Sequence, residues 1–159
     1  MRTIKLTQNK HTLVDDEDFE VLSKYKWCYH KKKTDYTGYA VRSVRISRNK
    51  IETITLHSCV LNIPIGMVVD HINRDGLDNR KENLRIATVS QNAFNRKLSK
   101  NNKSGYKGVS WNKGSKKWQV FIIEGGKNRN LGSYDKVEDA AKVYNDFSIQ
   151  LHKEFYRNV

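Results

Sequence analysis

The apolar positions of this chain fall into short alternating runs broken by a few helical stretches, and that pattern lays out its organisation. In the first third, IKLT and HTLV read as short strands. VDDEDFEVLSKY has the acidic start of a helix, with Phe19, Leu22 and Tyr25 on its apolar face. KWCYH and GYAVRSVRI are rich in aromatic and β-branched residues and read as strands. The mostly apolar IETITLHSCVLNI ends at Pro64, the only proline. MVVDHI is then a strand, RDG a turn and LRIAT a second strand, with Asp78 and Asn79 as turn residues opening the DNRKEN connection. Thr88 followed by Gln91 forms a capping box that starts a helix near Val89, so the local order is β, loop, β, α.

Beyond that helix the periodicity stops. Arg96, Lys97, Lys100, Lys103 and Lys107 punctuate a polar stretch with no acidic residue, either a solvated tether or a segment lying along a polyanion. GYKGVSWN, KWQVFIIE and NRNLGSY then read as three strands separated by KGSK and GGK. The final helix carries Val137, Ala140, Ala141, Tyr144 and Phe147 on one face, with Asp135 and Glu138 placed to cap it. Alternation turns Trp118, Val120 and Ile122 toward that helix and Lys117, Gln119 and Phe121 away from it. The expected fold class is α+β. Residues 1–97 make one domain with a ββα core at about 66–97, residues 98–104 a basic linker, and residues 105–159 a small three-stranded antiparallel sheet packed on one helix.

Composition adds the partner. Lys and Arg number 30 against 17 Asp and Glu, a formal net charge of +13, which favours a polyanion whose condensed counterions are released on binding. Cys28 and Cys59 lie far apart without CxxC spacing, so they read as reduced, buried thiols rather than as a disulfide or zinc site. No apolar run approaches the roughly 20 residues of a membrane helix, and no signal peptide is evident. A soluble, intracellular protein without membrane contact is expected.

The candidate chemistry sits in VVDHINRDGLDNRKENLRIATVSQNAFN. Asp70 and His71 end a strand, Asn83 follows His71 by twelve residues and Asn92 follows Asn83 by nine. Asp and Asn oxygens are hard donors, suited to Mg²⁺ or Mn²⁺ rather than zinc. Two protein ligands leave positions for water and phosphate oxygens, and a neutral His71 beside them can take a proton from an attacking water. Asn83 either fixes the loop or accepts a hydrogen bond from the imidazole and sets its tautomer.

This segment resembles the catalytic core of HNH homing endonucleases, the phage and intron-encoded ββα-metal nucleases. The matching residues are Asp70-His71, Asn83 within Glu82-Asn83-Leu84-Arg85, and Asn92 on the helix. The resemblance implies Asp70 and Asn92 as metal ligands, His71 as general base and Asn83 as the orienting residue, with Arg85 among the DNA contacts. The cysteine pairs that bind structural zinc in some relatives are missing, so no structural zinc is expected. Leu56-His57-Ser58-Cys59-Val60 is similar to a Leu-His-Arg-Leu-Val box of phage members, with Ser58 in place of the arginine and His57 read as structural.

Residues 104–158 resemble the APETALA/ethylene-response-factor DNA-binding domain through Gly105-Tyr106-Lys107-Gly108-Val109, Trp118, Leu131-Gly132-Ser133-Tyr134 and Glu138-Asp139-Ala140-Ala141 with Tyr144. The resemblance implies a sheet that enters the major groove, with Lys107, Ser110, Asn112, Lys117, Gln119, Phe121, Asn128 and Asn130 at contacting positions and Arg96, Lys97, Lys100 and Lys103 leading up to it. Several arginines of the plant domain are missing, which shifts the expected contacts toward phosphate. Taken together, the expectation is a metal-dependent endonuclease of double-stranded DNA that leaves 5′-phosphate and 3′-hydroxyl ends. The rival is a sequence-specific DNA-binding regulator with a vestigial nuclease core. One ββα centre cuts one strand at a time, so a monomer nicks and a double-strand cut requires a dimer or successive nicks.

Overall fold

A computed structural model describes residues 1–33, 35–96, 98–99, 101–152 and 155. The chain is α+β, with small antiparallel sheets and short helices. It forms two compact units, Met1–Val89 and Ser90–Val159.

In the first unit β1 (Arg2–Lys5) and β2 (His11–Val14) form a hairpin whose turn residues Gln8 and Asn9 have φ of 59° and 53°. Two successive positive φ values are what a tight hairpin turn requires, and asparagine tolerates them better than most side chains. α1 (Asp16–Leu22) follows Asp15, whose carboxylate leaves the helix uncapped and instead accepts the Lys81 backbone N–H at 2.7 Å. β3 (Cys28–His30), β4 (Tyr39–Ser47) and β5 (Lys50–Thr55) make a meander, and the short α2 (His57–Val60) closes it. Ile4, Leu6, Val14, Leu22, Trp27, Ala40 and Leu56 are buried together, with Phe19, Tyr29, Val60 and Leu77 packed around them. The Trp27 indole N–H donates to the Leu22 carbonyl, so burying the ring leaves no polar atom unmatched.

β6 (Val68–His71) and β7 (Leu84–Ala87) pair in register, Asp70 opposite Arg85 and His71 opposite Leu84. A 3₁₀ turn at Lys81–Asn83 joins the loop to β7. This hairpin is tied to the first one by backbone bonds: Leu13 N–H donates to the Leu77 carbonyl at 2.8 Å and Asn79 N–H to the Leu13 carbonyl at 2.9 Å.

α3 (Val89–Asn95) starts where the Thr88 capping pattern places it, and the division between the units falls at its first residues. Phe94 of α3 packs on the core of the second unit, which explains why the helix groups there. That unit has a three-stranded sheet in the order β10-β9-β8, from β8 (Val109–Asn112), β9 (Lys117–Glu124) and β10 (Lys127–Tyr134). α4 (Val137–His152) lies on one face, with Ala140 and Tyr144 in a core with Val109, Val120 and Ile122. Asp135 does not cap α4 as expected. Its carboxylate lies 3.3 Å from the Lys117 ammonium, and the first backbone bond of the helix runs from Ala140 N–H to the Lys136 carbonyl. The cysteines also depart from expectation: both are free thiols, and both are exposed. Cys28 lies on an edge strand and Cys59 on the four-residue α2, elements too short to cover both of their sides.

Candidate active site

Asp70 and His71 end β6 and are 3% and 6% exposed, burial that a carboxylate and an imidazole tolerate only with specific partners. Successive side chains of a strand leave on opposite faces, and these two have separate partners. Asp70 faces Arg85 across the ladder, its Oδ2 accepting from Nε at 2.8 Å and lying 2.8 Å from Nη2. The guanidinium balances the charge of this buried carboxylate.

His71 packs among rings and amides. Its ring centroid lies 5.0 Å from that of His57, with the planes at 80°, and 5.8 Å from that of Tyr39. Tyr39 and His57 also meet edge-on at 5.7 Å. Gly76 permits this grouping, since a Cβ there would stand 2.6 Å from the Tyr39 ring. Nε2 of His71 is 3.1 Å from Oδ1 of Asn79. Burial lowers the pKa of His71 below 6.5, against opposing pulls from the Asn79 hydrogen bond and from Asp70, Asp75 and Asp78. Burial, with the neighbouring His71, lowers His57 to about 4. Both imidazoles are therefore neutral at neutral pH.

Asn83 bonds across the loop that follows His71. Its Oδ1 accepts the Asn73 backbone N–H at 2.9 Å, and its Nδ2 donates to the Asp78 carbonyl at 2.7 Å. Its own carbonyl accepts the Ile72 N–H at 2.8 Å. One buried side chain thus spans both limbs of the loop that follows His71. Asp78 reinforces the clamp by accepting from Asn73 Nδ2 and from two nitrogens of Arg80. Those bonds, Arg80 first, hold the Asp78 carboxyl below its usual range.

Two site residues escape the sequence reading. Asn79, read as a turn residue, is the side chain that holds the imidazole. Thr12, 0% exposed on β2, accepts Asn79 Nδ2 at 2.6 Å and donates to the Leu77 carbonyl at 2.7 Å. Thr12 lies 67 residues from Asn79 in sequence, and no local pattern signals the contact.

Asn92 lies on α3 in the second unit, partly buried. Among the described residues, no group of three or more His, Cys, Asp and Glu side chains is placed to hold a metal. A divalent ion on Asp70 and an asparagine amide, with water and phosphate completing the sphere, needs no such cage. The buried Asp70 carboxylate fits a hard cation by its chemistry, although one oxygen is already engaged by Arg85.

In the second unit, Lys117↔Asn112, Gln119↔Ser110 and Ser133, Phe121↔Asn130 and Ile123↔Asn128 are cross-strand neighbours on the face opposite α4. The expected contacts Ser110, Asn112, Lys117, Gln119, Phe121, Asn128 and Asn130 therefore share one face, and Ser133 joins them unforeseen. Arg129 is on the other side, over the Phe147 ring at 4.7 Å and paired with Glu124 at 2.7 Å. Lys107 is half-buried and donates to the Phe94 carbonyl, while Arg96 and Lys103 are exposed. Lys97 and Lys100 lie outside the described residues. Phe121 and Asn128 line a cavity of about 370 Å³ together with Phe94 and Arg96.

Residues 62–94 match the family model described as HNH endonuclease. An uncharacterized HNH endonuclease of Acanthamoeba polyphaga mimivirus is 31% identical over 141 residues, 87% of this chain and 69% of the relative. The chain belongs to the HNH endonuclease family. Protein 3.8 of Escherichia phage T7 is 38% identical over 95 residues, 60% of this chain and 78% of that protein. No solved structure matches at a significant level. The HNH match takes in β6, the Asn83 clamp, β7 and most of α3, so it contains Asp70, His71, Asn79, Asn83 and Asn92.

Proposed function

We propose that this HNH family member is a divalent-metal-dependent DNA endonuclease of the homing type, cutting phosphodiester bonds to leave 5′-phosphate and 3′-hydroxyl ends. The observation that carries the reading is a buried imidazole next in sequence to a buried carboxylate at the end of one strand, with burial lowering the imidazole pKa. A base has to be neutral to take a proton, and burial keeps His71 so. Asp70 and Asn92 are the proposed ligands of Mg²⁺, with Mn²⁺ as substitute. A bound ion would polarise the scissile phosphate and stabilise the leaving oxygen. His71 takes the proton of the attacking water, and Asn83 keeps the loop beyond it in one shape.

The second unit is proposed as a DNA-binding module of the APETALA/ethylene-response-factor type, its polar sheet face lying in the major groove, which admits β-structure. The cationic excess of the whole chain supports a duplex DNA partner. The proposed domain limits are 1–97 and 105–159, with a linker at 98–104.

The test incubates supercoiled plasmid with the protein plus Mg²⁺, with EDTA, and with His71→Ala. Nicked or linear product is expected only with metal and an intact His71, and its accumulation separates nicking from double-strand cutting. DNA binding that persists while plasmid stays supercoiled across metals and targets would overturn the nuclease reading in favour of a DNA-binding regulator.

A further inference from the structure

We propose that Thr12 and Asn79 act as positioning residues that fix the tautomer of His71, so that Nδ1 is the nitrogen that takes the proton. This rests on the reading of His71 as the base. The Leu77 carbonyl can only accept, and it does so from Thr12 Oγ1 at 2.7 Å and from Leu13 N–H at 2.8 Å. The single hydroxyl hydrogen of Thr12 is thereby spent. Toward Asn79, 2.6 Å away, Thr12 can only accept, so Asn79 must present its NH₂ group there. The second amide hydrogen points to the Gly76 carbonyl at 3.4 Å. The amide oxygen is left facing His71 Nε2 at 3.1 Å, and an amide oxygen only accepts. Nε2 must therefore carry the hydrogen, and in the neutral ring Nδ1 carries the lone pair.

The direction of this relay cannot easily reverse. Thr12 and Asn79 are 0% and 1% exposed, so a flipped amide would meet protein groups rather than bulk solvent. Both ends are pinned by the backbone bonds between β2 and the 77–79 segment. The amide orientation is fixed by this network and not by the shape of the side chain, which is symmetric to a flip.

The decisive measurement is the ¹⁵N spectrum of histidine-labelled protein, in which a protonated and an unprotonated ring nitrogen are distinguishable. For His71, assigned by its loss in His71→Ala, a single Nε2–H tautomer is expected at neutral pH. Thr12→Val removes the acceptor, freeing the amide to turn its NH₂ toward Nε2. A mixed or Nδ1–H tautomer should follow, with kcat for cleavage down about ten- to a hundredfold and KM little changed. Thr12→Ser restores the acceptor and should restore both. An Nδ1–H tautomer in the unaltered protein overturns the proposal without recourse to any variant. So does a folded Thr12→Val protein with an unchanged tautomer and rate. Because the spectrum requires no cleavage, a protein with the Nε2–H tautomer that cuts no DNA overturns the assignment of Nδ1 as base through the nuclease reading alone. The relay itself is still decided by the spectrum.

Discussion

The ring of His57 stands edge-on to the ring of His71, their centroids 5.0 Å apart, at the boundary between the α2 turn and the end of β6. Two imidazoles at this distance cannot both hold a proton cheaply, and burial already disfavours charge on either. This makes the fold sensitive to acid. The unfolded chain takes up protons at these histidines near pH 6.5, whereas folded His57 does so only at about 4. Between those values the unfolded state binds more protons, so stability is full above pH 6.5 and declines as pH falls toward about 4. Chemical denaturation at intervals across this window should show the decline, and His57→Phe, which keeps a ring but cannot titrate, should flatten it. An equally steep decline in His57→Phe would show that other groups control the acid response.

Cleavage should report His71 in the same way. A base whose pKa lies below 6.5 stays competent at pH values where an exposed histidine is already protonated. The acid limb of single-turnover nicking is therefore expected below pH 6.5. A limb at or above that value, or a rate that stays flat through the acid range in which the protein remains folded, would remove His71 as the titrating base.

Asn83 gives a test of the loop clamp. Asn83→Ala withdraws partners from the Asn73 N–H and the Asp78 carbonyl at once. Loss of such bonds inside a protein costs about 1–3 kcal/mol. Urea midpoints should register that loss, and nicking should fall further than stability predicts, since the loop leads directly out of His71. Full activity in the variant would mean that the loop needs no clamp for the chemistry.

What the sequence disclosed, and what it hid, follows from the range of the interactions. The strands β6 and β7 and the start of α3 are legible because alternation and capping patterns are read within a few residues. Asp70, His71 and Asn83 stand out by type and spacing. Asn79 does not, because its side chain gains meaning only when β2 is laid beside it by a bridge between Leu13 and Asp78. Thr12 is an ordinary strand threonine until that pairing forms. The expected burial of Cys28 and Cys59 failed for a related reason: hydrophobic type predicts average burial, and a short edge element leaves one side open whatever its residues.

The Asp70–Arg85 pair gives the metal a separate readout. Their side chains are 4% and 14% exposed, so Arg85→Ala takes a guanidinium away from a buried carboxylate, at a cost of about 3–5 kcal/mol in EDTA. A cation that binds Asp70 in the folded state restores part of that loss by mass action. The melting temperature of Arg85→Ala should therefore rise more with added Mg²⁺ than that of the unaltered protein. Equal shifts in the two proteins would place any bound ion away from Asp70.

The sheet of the second unit makes a prediction about charge. On its face opposite α4, the strands present serine, asparagine and glutamine side chains and Lys117 beside Phe121 and Ile123, while Arg129 is turned to the helix side. A lysine that neutralises a phosphate contributes to the salt dependence of binding, and an amide that reads a base edge does not. In titrations of the full chain with duplex DNA at several salt concentrations, Lys117→Ala should lower the slope of log affinity against log salt by about 0.9. Gln119→Ala should weaken binding by a similar factor at every salt concentration and leave the slope unchanged. Arg129→Ala should lower the melting temperature through the loss of its Phe147 and Glu124 contacts, and leave DNA affinity nearly intact. If Arg129→Ala lowers the salt slope while Lys117→Ala does not, DNA lies against the other side of the sheet, and α4 rather than the serine and amide row is the bound surface.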